Sequence, residues 1–342
     1  MKPDIRDLSL EELTQYVISV GEKPFRTTQI FEWIYQKGAV RFDEMSNLSK
    51  DFREQLQRDF IFPLQVITAK QVSQDGTTKF LFDLHDHEKI ETVLIPTKTR
   101  TTVCVSSQAG CKFGCRFCAS GIGGWVRNLS VAEIVAEVLY TKEVAKQFDH
   151  PLSHIVFMGT GENFDNYDHL MKAIRIINGK EGMNIGARRI TISTVGIIPK
   201  IKQLAQEKIQ VELAISLHGF DNESRNVLMP VNRKYPFDEL IGACRDYVKA
   251  TKRQITFEYI LIKDVTCTEK AVQSLKKAFK GLICKMNLIP YNPVSEFDHK
   301  TPSREEMFAF KNRLESFGVH ATIRTPRGRD VGAACGQLRH SA

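Results

Sequence analysis

The spacing of apolar positions changes character twice along the chain. Up to about residue 60 it is helical: Leu8, Leu10, Leu13 and Val17 form one set, and Ile30, Phe31, Ile34 and Tyr35 another. From 64 to 106 the period shortens to that of strands. Alternating runs flank a turn at Asp75-Gly76 and a second around His85-Asp86-His87. The run Ile90-Glu91-Thr92-Val93-Leu94-Ile95 reads as a strand with an acid set inside it. Beyond residue 101 strands and helices alternate. Strands are expected at 101–106, 153–158, 189–194, 211–216, 255–262, 284–289 and 320–325, and helices near 168–177, 237–249, 268–279 and 303–317. A further helix opens with Ser130-x-x-Glu133, a capping box in which each side chain satisfies the other residue's free amide.

Repeated βα units imply a parallel sheet with right-handed crossovers. Six units, where a closed barrel has eight, predict an α/β fold built as an open, partial (β/α)6 barrel. The expected division is a helical accessory domain at 1–62, a β-hairpin extension at 63–98, the barrel core at 99–326 and a C-terminal loop at 327–342. Barrels of this kind place their chemistry at the C-terminal ends of the strands. Polar motifs gather there: a triple-cysteine loop after the first strand, Gly159-Thr160-Gly161-Glu162 after the second, Ser193-Thr194 ending the third, Ser216-Leu217-His218 ending the fourth, and Asn292 just past the sixth. Glycine and serine at one strand end are common; five such motifs at one mouth argue for a ligand pocket.

The 342 residues and 42% hydrophobic content suffice for a large core. No run of eighteen apolar residues points to a membrane span. The start, Met-Lys-Pro-Asp-Ile-Arg-Asp, lacks the apolar stretch of a secretion signal, so a cytoplasmic protein is expected. A net charge of +8 permits a polyanionic partner without demanding one. Basic residues cluster at Arg188-Arg189, at Lys276, Lys277 and Lys280, and at Arg324, Arg327 and Arg329, where the plain reading is solvated surface.

Eight cysteines invite a disulfide framework, but the tight group Cys111-Lys-Phe-Gly-Cys115-Arg-Phe117-Cys118 points to metal. Cys244 and Cys284 fit apolar patterns as small core residues, and Cys267 has no assigned role. A [4Fe–4S] cube takes one thiolate per iron, so three leave one iron open to a substrate or cofactor. Structural zinc asks for four ligands, usually as two spaced pairs. No second pair follows here, and nothing in the spacing of His85 or His87 requires either as a fourth ligand. The spacing and Phe117 favour iron–sulfur.

This loop resembles the signature of the radical S-adenosylmethionine (SAM) superfamily. There the open iron chelates SAM, and an electron from the cluster cleaves it to a 5′-deoxyadenosyl radical. The segment 159–162 resembles the superfamily's SAM-amine motif. Cys104-Val-Ser-Ser-Gln-Ala-Gly-Cys111, Arg127-Asn128-Leu129, Ile192-Ser193-Thr194, Ser216-Leu217-His218, Arg225-x-x-Leu228-Met229-Pro230, Asn287-Leu-Ile-Pro-Tyr-Asn292-Pro293 and Ala334-Cys335-Gly336-Gln337-Leu338 resemble the RlmN/Cfr family of rRNA adenine methyltransferases across nearly the whole chain.

The resemblance implies a methyl relay. C2 of adenine has no lone pair with which to attack SAM. Cys335 would take a methyl from one SAM, and a radical from a second would withdraw hydrogen from that methyl, so that two SAM are consumed per turnover. The S–CH2 radical adds to the ring, Glu91 accepts the ring proton, and Cys104 attacks the sulfur of Cys335. That frees the product and leaves a disulfide for an external reductant. The same resemblance assigns Cys111, Cys115 and Cys118 to one cluster, and Gly161, Glu162, Ser193, Ser216, Leu217, His218 and Asn292 to SAM. Read without it, Cys104 is a buried strand cysteine, Glu91 a surface carboxylate and His218 a core histidine.

The implied substrates are adenine 2503 of 23S rRNA and adenine 37 of tRNAs, methylated at C2. An electron donor such as flavodoxin is also implied. Phe25, Arg26, Trp33, Tyr35 and Lys37 mix aromatic and basic groups suited to folded RNA, while Phe31 and Ile34 on the same stretch read as core. Asn163 stands where the family commonly has proline, as C8-methylating Cfr relatives also lack it. The stretches 164–168 and 184–188 look more like the C2-methylating branch. The alternatives are C8 methylation of the same adenine, a radical SAM enzyme acting on peptides or metabolites, and a zinc-stabilised RNA-binding module without catalysis.

Overall fold

The computed structural model describes residues 2–63 and 66–338. Three helices open the chain: α1 (Leu10–Ser19), α2 (Phe25–Phe31), which runs on into a π-helical turn at Glu32–Gln36, and α3 (Lys50–Asp59). Their apolar stripes meet, burying Leu13, Val17, Ile30, Ile34 and Leu56. Tyr35 is buried with them at 1% exposure, so it does not belong to an RNA-facing surface. Its place in the apolar set with Ile30, Phe31 and Ile34 is the reading that holds; helical spacing alone does not say how wide the buried stripe is. Phe25 is exposed, and Lys37 Nζ lies 4.0 Å from the Trp33 ring centre.

Three antiparallel strands follow, β1 (Val66–Val72), β2 (Thr78–Asp83) and β3 (Lys89–Pro96). Then come β4 (Thr101–Cys104), a hairpin of β5 (Gln108–Gly110) and β6 (Trp125–Asn128) with α4 (Ala119–Ile122) inside it, and α5 (Val131–Val144). The alternation continues through β7 (Leu152–Phe157), α6 (Tyr167–Asn178), β8 (Ile190–Thr194), α7 (Ile198–Leu204) and β9 (Glu212–Ser216). It ends with α8 (Asn222–Leu228), α9 (Phe237–Thr251), β10 (Ile255–Leu261), α10 (Glu269–Phe279), β11 (Cys284–Pro290), α11 (Arg304–Glu315) and β12 (His320–Ile323).

All strands except β5 and β6 form one ten-stranded sheet, ordered β1-β2-β3-β4-β7-β8-β9-β10-β11-β12. From β4 to β12 every pairing is parallel. Six βα units are thus closed by a seventh strand in an open barrel, the expected architecture. The antiparallel extension joins the barrel through the β3–β4 pairing, with Val93 opposite Cys104. Every residue of β10 is buried, as expected of a strand covered on both faces. Helix α6 turns Leu170, Met171, Ile174 and Ile177 inward at i, i+3/i+4 spacing.

The capping box at Ser130 and Glu133 starts α5. Asp7 accepts the Ala132 amide at 2.8 Å, which puts a carboxylate at the positive end of that helix and ties the helical domain to the barrel. Lys142 Nζ adds a bond to Tyr35 O at 2.9 Å. No helix among the described residues is long and apolar enough to cross a membrane.

Candidate active site

The β5–β6 hairpin carries the cysteine loop to the barrel mouth. Its neck is tight: Cys111 N donates to Gly124 O at 2.7 Å, and a Cβ on Gly110 would fall 2.1 Å from that same oxygen. Ser107 N reaches Thr160 O at 3.0 Å, and Arg116 N reaches Leu228 O at 3.0 Å, so the loop is fixed both to the β7 end and to α8.

Cys111, Cys115 and Cys118 all line one cavity of ≈ 900 Å³, its open mouth included, together with Gly161, Glu162, Ser193, Ser216 and His218. Burial pushes the Cys111 thiol up to about 12 and those of Cys115 and Cys118 upward too. As thiolates they need a cationic centre. Among the described residues no three His, Cys, Asp or Glu side chains converge as ligands of one ion would. A cube with one thiolate per iron does not ask for that convergence. The donor set fits a cluster held by Cys111, Cys115 and Cys118.

Glu162 lies on the cavity wall at 2% exposure. Its carboxylate accepts from Phe164 N at 2.9 Å, Thr194 Oγ1 at 2.7 Å and Val195 N at 2.7 Å. Burial outweighs these bonds and lifts it to about 7. N–H donors beside it, from an ammonium or a metal-bound amine, would favour the carboxylate, so the residue fits the SAM amine. Gly161 has φ +106, and a Cβ there would meet Gln108 Cβ at 2.6 Å. Gln108 bridges the two loops by accepting the Glu162 amide at 2.7 Å and donating to Asn128 at 2.7 Å and Asp165 at 2.9 Å. Its position inside the Cys104–Cys111 motif was the only sequence signal for it. Asn163, in the proline position, donates to Phe157 O at 2.8 Å and Ser193 O at 2.7 Å, pinning the ends of β7 and β8 together.

Ser193 and Ser216 hydroxyls lie 3.3 Å apart. His218 sits at φ +50 and accepts the Ile260 amide on Nδ1 at 3.1 Å, so its ring proton is on Nε2. Burial, with the Arg225 charge behind it, depresses it to about 3, so the ring is neutral and its Nε2 proton is left to donate. Its ring packs edge-on against Phe117 at 4.7 Å. Leu217 is core and lines neither cavity; its carbonyl is taken by Arg225 Nε at 3.1 Å.

A second cavity of ≈ 670 Å³ adjoins the first and is lined by Cys104, Asn292, Pro290, Ala333 and Ala334. Met158, Ile289, Arg324 and Cys335 line both. Cys335 is exposed, and all eight cysteines are free thiols. Burial drives the Cys104 thiol far up, with Cys335 adding to the effect. Asn292 borders this second chamber rather than the first. Its Nδ2 donates to Cys335 O at 3.0 Å and its Oδ1 accepts Arg329 Nε at 2.7 Å, so its amide is engaged with the cysteine loop.

The loop is tied elsewhere too. Ala119 N donates to Gly336 O at 2.7 Å and Ser120 Oγ to Leu338 O at 2.7 Å, while Ser73 Oγ meets Asp330 at 2.6 Å and Gly328 N meets Asp75 at 3.1 Å. Glu91 lines neither cavity. It shares a face of β3 with Val93 and Ile95 and pairs with Lys79 Nζ at 2.7 Å.

A thiol triplet of this spacing, at the C-terminal mouth of an open six-unit barrel, defines the class: the protein is a radical SAM enzyme. The Radical SAM superfamily matches residues 105–275, and the ribosomal RNA large subunit methyltransferase N-terminal domain matches 3–61. The chain belongs to the RlmN family of radical SAM RNA methyltransferases. It is 47% identical to the "Probable dual-specificity RNA methyltransferase RlmN" of Bacillus licheniformis, over 99% of this chain and 94% of that one. A protein of the same description from Geobacillus kaustophilus is 48% identical over 98% and 92%. A crystal structure of a radical SAM methyltransferase from Sphaerobacter thermophilus superposes with a TM-score of 0.94 at 44% identity, covering 98% of this chain and 99% of that one.

Proposed function

We propose that the protein methylates C2 of adenine 2503 in 23S rRNA and of adenine 37 in tRNAs, in the cytoplasm, through a methyl carried on Cys335. One observation carries this reading: Cys335 borders both chambers, and Cys104 borders the second. One chamber suits SAM and the other a base drawn out of its stack. The cluster and SAM, when bound, supply a carbon-centred radical.

The rest falls to the chain. Glu162 and the neighbouring serines orient SAM by its amine and polar edge, and neutral His218 offers a fixed donor. Cys335 takes a methyl from one SAM and gives up a hydrogen to the radical from a second. The resulting S–CH2 radical adds to C2 of the adenine. Glu91, paired with Lys79 at 2.7 Å, accepts the ring proton from the adduct, whose unpaired electron would pass to the cluster held by the three cysteines, leaving a closed-shell thioether. Cys104 then displaces the product by forming a disulfide with Cys335. An external thiol reductant reopens it, and an electron donor of the flavodoxin kind serves the cluster.

The test is RNA methylation by reconstituted protein, with products resolved by nucleoside mass spectrometry. Wild type should give 2-methyladenosine and Cys335→Ala none. 8-Methyladenosine would assign the chain to C8 chemistry, and methylation by Cys335→Ala would end the relay reading.

A further inference from the structure

Arg324, just past β12, stands where the two chambers meet. Among the described residues its guanidinium has two partners, both long: Glu258 Oε2 at 3.5 Å and Met158 Sδ at 3.9 Å. An arginine carries five N–H donors, so most of this fork is uncommitted. Glu258 is shared, because its other oxygen accepts Asn287 Nδ2 at 2.8 Å. Cys335 shares both chamber walls with Arg324 and Cys104 shares the second, and a negative charge on either sulfur would attract the guanidinium. From the side of Cys104, Arg324 is the leading influence that favours the thiolate.

We propose that Arg324 is the thiolate-stabilising residue of the methyl relay, serving Cys335 and Cys104 in turn; this rests on the relay reading above. Two steps need a sulfur anion. In the first, Cys335 Sγ⁻ attacks the SAM methyl. The S–CH3 bond forms, the methyl–sulfonium bond breaks, and its electron pair leaves on S-adenosylhomocysteine. In the last, Cys104 Sγ⁻ attacks the sulfur of Cys335. The S–S bond forms, the S–CH2 bond breaks, and its pair returns to the product carbon, which takes up a proton.

The two thiolates are never needed together. When Cys104 attacks, Cys335 is a neutral thioether, so one cation between the chambers serves both. The charged and titratable groups around the pair are Arg324, Arg327 on the second chamber's wall, Glu258 on β10, Glu137 on α5, which opposes the Cys104 thiolate, and, on the first chamber's wall, Glu162, His218, Cys111, Cys115 and Cys118.

The test is the pH profile of iodoacetamide alkylation at Cys335 in cluster-containing protein. It is followed by peptide mass spectrometry on the fraction unmethylated at that residue. In Arg324→Met the midpoint should rise by a pH unit or more, slowing the reaction about tenfold near neutrality. Arg324→Lys should stay close to wild type, and Glu258→Gln, which removes the opposing acid, should shift the midpoint down.

Superimposed profiles for wild type and Arg324→Met overturn the proposal. They do so whether that variant loses SAM affinity, loses RNA affinity or is merely less thermostable. Should Arg324→Met not fold, an unmoved midpoint in Glu258→Gln overturns it. Methylation by Cys335→Ala is the separate result that removes the relay itself.

Discussion

The carboxyl of Glu162 sets a pH dependence for SAM binding whose size follows from its surroundings. An ordinary glutamate at 4.5 is here lifted to about 7 by burial. At about 1.4 kcal/mol per pH unit, ionising it in the empty cavity costs about 3 kcal/mol. About a tenth of the sites are charged at pH 6 and about nine tenths at pH 8. A ligand ammonium selects the charged form, so affinity should rise about fourfold across that interval once the ligand's own amine is counted. Near pH 8 and above the ligand's own α-amine begins to lose its proton, and affinity should fall again.

The assay is calorimetric titration of cluster-free protein, in which no iron takes up the amine and it stays an ammonium, with unreactive S-adenosylhomocysteine between pH 6 and 9. The wild-type profile should be bell-shaped with a maximum near neutrality, and Glu162→Gln should lose the acid limb. A flat wild-type profile, or an acid limb that persists in the variant, would refute the reasoning. Stability carries the opposite sign. The folded carboxyl holds its proton more tightly than the unfolded one, so its contribution is complete below 4.5 and is lost as pH rises through 7. Thermal melts of ligand-free wild type should decline over that window, and the ligand should offset the decline.

Asn292→Ala removes the bond to Cys335 O and the acceptor for Arg329. It should cost about 1–3 kcal/mol and speed proteolysis of the tail beyond Pro326; an unchanged cleavage rate would mean the amide is no tether. Gly161→Ala places a Cβ 2.6 Å from Gln108 in backbone of φ +106. Urea unfolding should show a loss of about 3 kcal/mol, with S-adenosylhomocysteine binding weakened at least tenfold. Asn163→Pro would stiffen the turn yet leave Phe157 O and Ser193 O without their donor. Stability should fall by about 1–3 kcal/mol, and a more stable variant would show that loop stiffness outweighs those two bonds.

The βα alternation was legible because its strands are short apolar runs bounded by turn residues and its helices carry long buried stripes. The β5–β6 hairpin was not. Its strands of three and four residues lie among glycines and cysteines, where neither period can be expressed. Helices α7 and α8, at seven residues each, are likewise too short to show one. At the site, the cysteine loop and Glu162 lie in contiguous motifs and could be read directly. The engagement of Asn292 with a carbonyl 43 residues away could not, since only the folded chain brings them together. Arg324 looked like one more basic residue near the C-terminus, because nothing local distinguishes an arginine facing two thiols from one facing water.

The β1–β2 turn lies outside the barrel and supplies no group to either chamber, yet it holds the tail through Ser73 and Asp75. The tail is therefore moored to a turn whose own residues line neither chamber. Substitutions at that mooring would retune how readily the tail is released while leaving the reaction centre as it is.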